Sequence, residues 1–389
     1  MQDVFMNTYH RLPVTFAKGE GVYLEDVNGK RYIDFSSGIA VNSLGHAHPL
    51  LTKSVADQAA KLMHTSNYFQ SDVTAKFAEK LVAMCAGAGL KKVFLANSGA
   101  EANEGACKIA RKYSLAKYGP GRHTIVTLRG SFHGRTITTL AATGQDKFHE
   151  TFGPFTEGFS YIPSGDIDAL DKALDKQSVC AVMMEPVQGE SGIRAQSKEF
   201  MQAAAKFCAE RDILLIMDEI QSGVGRTGTF LASEQYGLEP DIVTLAKGLS
   251  GGIPVGAVLG GEKTKDVFAV GDHGSTFGGN PVAAAAGLAV LSVLESNNFM
   301  QETKEKGEYL MAQIRAWNHP AIKEVRGMGM MIATDIDRDA WPVLETALSN
   351  GLLLLSAGPK TLRFLPPYII TKEEIDEGLA ILKTVLDEE

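Results

Sequence analysis

The sequence predicts an α/β protein in which a mostly parallel sheet, covered by helices on both faces, is joined to a smaller α+β unit. From about residue 52 onward, short apolar runs rich in β-branched residues alternate with amphipathic stretches of helical period, a pattern typical of parallel sheets. The chain also has 389 residues, more than a single hydrophobic core usually supports. We therefore expect two lobes.

The N-terminal stretch predicts short strands. Residues 14–35 are VTFAKGEGVYLEDVNGKRYIDF, with turn-forming residues at Gly19–Gly21 and at Asn28–Gly29. Turn signals between apolar runs indicate two or three strands here. We expect these strands to join the smaller unit.

Five apolar runs in the middle of the chain predict strands of the main sheet. They are KKVFLAN (91–97), HTIVTL (123–128), VCAVMMEP (179–186), ILLIMDE (213–219) and DIVTLAK (241–247). A helix is predicted at 98–113, where Ser98 and Glu101 have the spacing of a capping box. A second helix is predicted at 199–212, with an apolar stripe formed by Phe200, Ala203, Ala204, Phe207 and Cys208.

The C-terminal part predicts the smaller unit. Asn280–Pro281 opens a helix with proline at its first position. MGMMIATDI, GLLLLSA and TLRFLPP then predict strands, and EEIDEGLAILKTVL predicts a final helix. We divide the chain into residues 1–45, the N-terminal segment of the small domain; 46–285, the large domain; and 286–389, the C-terminal small domain.

The composition is that of a folded protein and argues against nucleic-acid binding. Apolar residues make up 44% and charged residues 22%, and 38 basic against 46 acidic side chains give a net charge of −8, whereas a phosphate backbone requires a basic face. The cysteines lack disulfide-framework or metal-ligand spacing, which favours buried thiols at Cys85, Cys107, Cys180 and Cys208. The N-terminus lacks a signal-peptide pattern and no apolar run reaches membrane-spanning length, so we predict a cytoplasmic protein without membrane contact.

Polar groups stand where three of the predicted strands end. They are Glu185 after AVMM, Asp218, Glu219 and Gln221 after LLIM, and Lys247 after IVTLA. Ligands of open α/β sheets bind outside the carboxyl ends of the strands, so we expect these groups to converge. Glu185 precedes a proline and is equally consistent with a solvated loop. A strand-end lysine is usually solvated too, but the glycines after Lys247 and the acids on neighbouring strands favour a site.

Two phosphate-binding motifs compete with this interpretation, and both lack the necessary context. Residues 223–228, GVGRTG, match GxGxxG and would indicate a nicotinamide-dependent dehydrogenase. However, the preceding strand ends too early, the following TFLASEQYG is too short for the required helix, and Lys247 stands where an acid is needed. Residues 256–264 come close to a phosphate loop but have Glu262 in place of its lysine.

The remaining groups together describe a site for pyridoxal 5'-phosphate (PLP). In a desolvated cleft, Lys247 would have a lowered pKa and a neutral amine able to form a Schiff base. A strand-end carboxylate would hold a pyridine nitrogen protonated, and Phe132 would cover the ring. The helix N-terminus at Ser98, Gly99 and Ala100 would offer N–H groups to a phosphate. No single feature is specific, but the ordered set is.

The chain also resembles the class III aminotransferases among the fold-type I PLP enzymes, and within them the branch that acts on N-acetylornithine in arginine biosynthesis. The resemblance covers nearly the whole chain. Its motifs are SSGIAVNSLGHAHP (36–49), NSGAEANEGACKIAR (97–111), GSFHGRT (130–136), MEPVQGESG (184–192), LLIMDEIQSGVGRTG (214–228), TLAKGLSGGIPVGA (244–257), GSTFGGNP (274–281) and LRFLPP (362–367). It implies the PLP-transferase fold of type I, with a large domain and a small domain built from both chain ends.

The resemblance implies how the cofactor ring is held. Lys247 would bind the cofactor covalently and later move the proton that transamination requires. Asp218 would pair with the pyridine nitrogen and supply the charge that makes the ring an electron sink. Gln221 would lie near the phenolic oxygen, and Phe132 would stack on the ring.

The phosphate contacts implied by the resemblance involve two subunits. Gly99 and Ala100, next to Ser98, would donate backbone N–H groups. Many members of the family have threonine where this chain has Ala100, so one hydroxyl contact is missing. Thr276 would reach the phosphate of the neighbouring subunit, which implies a homodimer with shared active sites.

The resemblance also implies how substrates are chosen. Arg363 would bind the α-carboxylate of glutamate, and Arg135 the side-chain carboxylate of glutamate or the α-carboxylate of an acylated ornithine. Glu190 would neutralise Arg363 when the donor brings no second carboxylate. Ser275 would contact the acylated substrate. Ile39 stands where ornithine aminotransferases have tyrosine, which suits an uncharged amide.

The predicted reaction is transfer of the terminal amino group of N2-acetyl-L-ornithine to 2-oxoglutarate, giving N-acetyl-L-glutamate 5-semialdehyde and L-glutamate. Alternatives with the same mechanism use ornithine, succinylornithine, succinyl-diaminopimelate or 4-aminobutyrate as donor. A dehydrogenase would lack a yellow colour that an amino donor bleaches. A non-catalytic binding protein would not need Lys247, Asp218 and both arginines.

Overall fold

The computed structural model describes residues 4–296 and 298–388 and is built around a seven-stranded sheet. In spatial order the strands are Lys92–Ala96, Gly256–Gly260, Ile242–Leu245, Leu214–Asp218, Val179–Met184, Thr124–Leu128 and Phe159–Ile162. Only Gly256–Gly260 runs in the direction opposite to the other six strands, which confirms the mostly parallel sheet. The sequence did not predict this strand or Phe159–Ile162, because one is short and bounded by glycines and the other alternates with polar residues.

Helices cover this sheet and continue into the rest of the chain. The α-helices after the N-terminal strands are Ser37–Ala40, Pro49–Lys61, Asp72–Met84, Gly99–Tyr118, Ile137–Ala142, Ile167–Leu174, Lys198–Arg211, Pro281–Leu294, Phe299–Ala316, Ala340–Ser349 and Lys372–Glu388. Short 3-10 helices lie at Ala86–Ala88, Asp146–Phe148, Ala232–Tyr236 and Lys247–Ser250. In the helix Lys198–Arg211, Phe200, Ala204 and Cys208 are buried, which confirms the core of the predicted stripe.

The start of the helix Gly99–Tyr118 differs slightly from the predicted capping box. The hydroxyl of Ser98 accepts from the N–H of Glu101 at 3.2 Å, as expected. The carboxylate of Glu101, however, accepts from the N–H of Asn97 at 2.5 Å rather than from that of Ser98. At the other predicted start, the side chain of Asn280 accepts from the N–H of Ala283 at 3.0 Å, and proline is the first helical residue.

Two smaller sheets lie outside the main one, and the two ends of the chain meet in the first of them. The strands Phe16–Glu20, Tyr23–Asp26 and Arg31–Asp34 pair with Leu352–Leu353, and Ile322–Met328, Met331–Ile336, Thr361–Phe364 and Leu355–Ser356 form the second sheet. Val187–Gln188 and Arg194–Ala195 pair as a separate two-stranded sheet. Val22, Ile33 and Phe35 share a buried cluster with the C-terminal helices. The N-terminal strands thus join the C-terminal unit, whereas the domain limits at 45 and 285 stay predictions.

The GxGxxG stretch does not open a helix. Residues 223–228 form successive turns, and the next element is the 3-10 helix Ala232–Tyr236. A Cβ atom at Gly228 would lie 2.6 Å from Cβ of Lys304, so this glycine allows close packing against the helix Phe299–Ala316. A dinucleotide-binding turn therefore does not form here.

All four cysteines are buried, which confirms the prediction made for them. Within the described ranges no single helix is long and apolar enough to span a membrane. The helices Pro281–Leu294 and Phe299–Ala316, which are bent by 74° relative to each other, reach that length and apolar composition only when counted together.

Candidate active site

A cavity of about 420 Å³ opens at the carboxyl ends of the central strands. Its walls include Glu185, Asp218, Gln221 and Lys247, so the structure brings together the groups that follow three different strands. The prediction that Glu219 joins this group is wrong. Glu219 points away from the cavity, and its carboxylate accepts from the N–H groups of Ala232 and Ser233, both at 2.7 Å. Successive residues of a strand face opposite sides, which separates Asp218 from Glu219.

Lys247 begins the 3-10 helix that follows the strand Ile242–Leu245. Its φ of +43° lies in the left-handed region, which is unfavourable for lysine. Burial lowers the pKa of its amine below the ordinary value, and the positive charge of Arg363 lowers it further. The nearby carboxylates raise this pKa but do not offset the lowering. The amine is thus poised to be a nucleophile.

Asp218 is held by a buried hydrogen-bond network that the sequence analysis missed. One carboxylate oxygen, Oδ2, accepts from Nδ2 of Asn103 at 2.8 Å and lies 2.7 Å from Nδ1 of His133. The other oxygen accepts from the N–H of Ile220 at 3.1 Å. Asn103 is oriented in turn by the hydroxyl of Thr244, which donates to its Oδ1 at 2.7 Å. The carboxylate therefore keeps one orientation toward the cavity.

His133 and Asn103 both lay within motifs quoted from the sequence. His133 follows Phe132 directly in GSFHGRT, and Asn103 lies on the helix that begins after Ser98. A pattern of residue types could not distinguish them from core residues, because their partner Asp218 is 85 positions from His133 and 115 from Asn103 along the chain.

Glu185 is buried in the cavity wall rather than in a solvated loop. Its carboxylate accepts from the N–H of Phe132 at 2.9 Å and from that of Gly189 at 3.3 Å. Burial and the negative charge of Asp218 raise the pKa of Glu185 well above the usual carboxyl value. Of the two interpretations that the sequence left open for Glu185, a solvated loop or a place in the site, the structure supports the second.

The N-terminus of the helix Gly99–Tyr118 forms one end of the cavity, with Ser98, Gly99 and Ala100 in the wall. The first N–H groups of a helix lack partners within it and attract anions. A Cβ atom at Gly99 would lie 2.8 Å from the side chain of Ile220, so a larger residue here would force that side chain to shift. Phe132 and Arg135 complete this side of the cavity.

Arg363 lies next to this cavity and is paired with Glu190. Its Nη1 is 2.7 Å from Oε1 of Glu190, and only 4% of the arginine side chain is exposed. Gln221 Nε2 donates to the same carboxylate oxygen at 3.3 Å. Burial opposes ionisation of Glu190, but the charges of Arg363 and Lys247 outweigh it and lower the pKa of Glu190 below the usual carboxyl value.

Ser275 and Thr276 line a separate cavity of about 740 Å³. Within the chain they are therefore not brought to Lys247. Asn97, which lines the first cavity, donates through Nδ2 to the hydroxyl of Ser275 at 3.0 Å and connects the two.

The residues present fit PLP. Oε1 of Gln221 and Nε2 of His133 are buried and have no hydrogen-bond partner among the described residues, as expected where a polar group is to be received. The helix N-terminus suits a phosphate, Asp218 suits a protonated ring nitrogen, and Lys247 suits an aldehyde. Fold and site together define a PLP-dependent enzyme of fold type I.

Comparison with known proteins identifies the family. Residues 4–386 match the model of the aminotransferase class-III family, and the chain belongs to that family, which is PLP-dependent. It is 48% identical to an acetylornithine aminotransferase from Caldanaerobacter subterraneus subsp. tengcongensis, over 98% of this chain and 97% of the relative.

Two solved structures show the same fold. The first is an ornithine aminotransferase from Toxoplasma gondii with partial occupancy of PLP at its active site, with a TM-score of 0.94, 35% identity and coverage of 99% of this chain and 92% of that one. The second is an N-acetylornithine aminotransferase from Stenotrophomonas maltophilia, with a TM-score of 0.86, 38% identity and coverage of 98% and 97%.

Proposed function

We propose that this enzyme transfers the terminal amino group of N2-acetyl-L-ornithine to 2-oxoglutarate, forming N-acetyl-L-glutamate 5-semialdehyde and L-glutamate. The acetylornithine aminotransferases among its relatives support this donor. One observation carries the proposal: Arg363 is already paired with Glu190, while Arg135 makes no ion pair or hydrogen bond with any described residue. A site with one available guanidinium suits a donor with one carboxylate.

Bound PLP supplies an electron sink for the carbon that loses its proton. Lys247 would attach the cofactor, and its lowered pKa favours a neutral amine that can take up and return a proton. Asp218, fixed by Asn103 and His133, would keep the ring nitrogen protonated. Phe132 would cover the ring face, and Gln221 would lie near the phenolic oxygen.

Two arginines would serve the two half-reactions. With the acylated donor, Arg135 would bind the α-carboxylate while Glu190 keeps Arg363 neutralised. With glutamate, the α-carboxylate would displace Glu190 from Arg363, and Arg135 would bind the side-chain carboxylate. A buried arginine without a partner is costly, so the exchange keeps Arg363 compensated throughout.

Ser275 and Thr276 would act in a homodimer, where Thr276 reaches the phosphate of the other subunit. Large apolar side chains near the second cavity support such an interface: Tyr68 is 96%, Phe69 72% and Phe277 61% exposed. We further propose a cytoplasmic location, with small molecules and a second copy of the chain as partners.

A donor panel tests the substrate. Each donor is mixed with the PLP-loaded enzyme and 2-oxoglutarate, and glutamate formation is measured together with bleaching of the cofactor colour. N-acetylornithine should give the highest kcat/KM. Faster turnover of ornithine, succinylornithine, succinyl-diaminopimelate or 4-aminobutyrate would replace the acetylated donor, and a colourless enzyme that reduces a nicotinamide would refute the reaction class.

A further inference from the structure

Arg135 lies against an aromatic ring that the motifs leave unassigned. Its guanidinium carbon is 4.4 Å from the centroid of the Phe148 ring and 5.5 Å from that of Phe132. The Arg135 side chain is exposed and makes no ion pair or hydrogen bond within the described part of the chain. Contacts with these two rings therefore orient the guanidinium.

Phe148 is itself held relative to the segment that carries Arg135. It ends the 3-10 helix Asp146–Phe148, and its N–H donates to the carbonyl of Gln145 at 3.1 Å. The side-chain amide of Gln145 donates to the carbonyl of Ser131 at 3.0 Å. The loop of Phe148 is thus tied to the start of the segment 131–135.

The rings of Phe148 and Phe132 meet edge to face, with centroids 6.1 Å apart and an interplanar angle of 67°. They form a corner in which the guanidinium of Arg135 lies. A guanidinium that lies over a ring is attracted by the ring face and keeps its N–H edge free. Two parallel hydrogen bonds to a carboxylate form at that edge.

We propose that Phe148 is a positioning residue that holds Arg135 ready to bind the substrate carboxylate at this end of the cavity. The inference rests on the proposed function, in which Arg135 is the carboxylate contact of both half-reactions. Phe148 then contributes to selection for carboxylate-bearing donors without touching the reacting atoms.

The test compares Phe148→Leu, which removes the ring, with Phe148→Tyr, which keeps it. Binding of glutarate, an unreactive dicarboxylate, to the PLP-loaded enzyme is measured by titration calorimetry. Phe148→Leu should weaken glutarate binding about fivefold, or roughly 1 kcal/mol, and Phe148→Tyr should restore it. The KM for N-acetylornithine should rise by a similar factor with kcat unchanged.

N-acetylputrescine, which is N-acetylornithine without its carboxylate, is the matched control substrate. Its kcat/KM should be the same in Phe148→Leu and the unaltered enzyme, because Arg135 has no carboxylate to bind. Equal losses for both donors would overturn the inference, since Phe148 would then act through the fold or through Phe132.

A double-mutant cycle separates this inference from the function on which it rests. In an Arg135→Ala background, Phe148→Leu should not weaken glutarate binding further, and an undiminished effect there would overturn the inference. If Arg135→Ala weakens glutarate binding but Phe148→Leu does not, only the role of Phe148 is wrong. If Arg135→Ala changes nothing, the proposed role of Arg135 fails and that of Phe148 falls with it.

Discussion

His133 donates from Nδ1 to Oδ2 of Asp218 across 2.7 Å, and both side chains are almost completely buried. Asn103 donates to the same oxygen at 2.8 Å, so Asp218 has two oriented donors on one side. The pair fixes the carboxylate that is proposed to face the ring nitrogen.

Replacing His133 by alanine should slow the first half-reaction by about ten- to a hundredfold, because one charge-assisted hydrogen bond to Asp218 is lost. His133→Asn, whose amide can donate from a similar position, should retain more activity. Single-turnover bleaching of the cofactor by N-acetylornithine measures both rates. Equal rates in the two variants would show that a hydrogen-bond donor to Asp218 at this position does not affect the rate of the half-reaction.

Asp218→Asn should still bind PLP but lose about two to three orders of magnitude in turnover, because a neutral amide cannot stabilise the protonated ring nitrogen. Cofactor content, measured from absorbance after gel filtration, separates loss of binding from loss of chemistry. A normal single-turnover rate in this variant would refute the proposed role of Asp218.

Glu190→Ala should impair the half-reaction with N-acetylornithine more than the half-reaction with glutamate. Without Glu190, Arg363 stays charged and uncompensated whenever the donor lacks a second carboxylate, whereas glutamate supplies its own. Separate single-turnover experiments with each substrate measure the two effects. Equal losses in both directions would contradict an exchange between Glu190 and substrate.

Much of the fold could be predicted because the pattern of each element is local. The strand Leu214–Asp218 and the helix Lys198–Arg211 match their predicted limits within one residue, since continuous apolar runs and helical stripes mark them directly. Asp218 and Lys247 could be predicted because both stand at the carboxyl ends of such strands. Asn103 and Thr244 could not, because their contact joins residues 141 positions apart. Likewise, the sequence left Glu185 open between a solvated loop and the site, and only its burial in the structure favours the site.

Lys247 of the cofactor-free enzyme should react as an amine at lower pH than an ordinary lysine. Burial lowers its pKa from 10.5, so the neutral form appears earlier as the pH rises. Reductive methylation followed over a pH series by mass spectrometry measures the midpoint for the peptide that contains Lys247. The denatured chain is the control, since unfolding removes the burial. The same midpoint in both states would contradict the lowered pKa.

Arg226, in the stretch that matches GxGxxG, should prove to be a structural residue. Its side chain is fully buried and donates from Nη1 to the carbonyls of Pro366 at 2.6 Å and Met330 at 3.1 Å, with its guanidinium 4.4 Å from the ring of Tyr368. Arg226→Met should lower the free energy of unfolding by about 2–4 kcal/mol, because two buried carbonyls lose their donor.

Arg338→Met is the matched control for Arg226→Met. Arg338 is partly exposed and pairs with Asp337 at 3.0 Å, so its loss should cost less than about 1 kcal/mol. Denaturant unfolding of the cofactor-free proteins, followed by fluorescence, compares the two. Similar small losses would mean that Arg226 does not tie the turn at 223–228 to the C-terminal unit. A large loss for Arg226 alone would show that its buried hydrogen bonds tie this turn to the C-terminal unit.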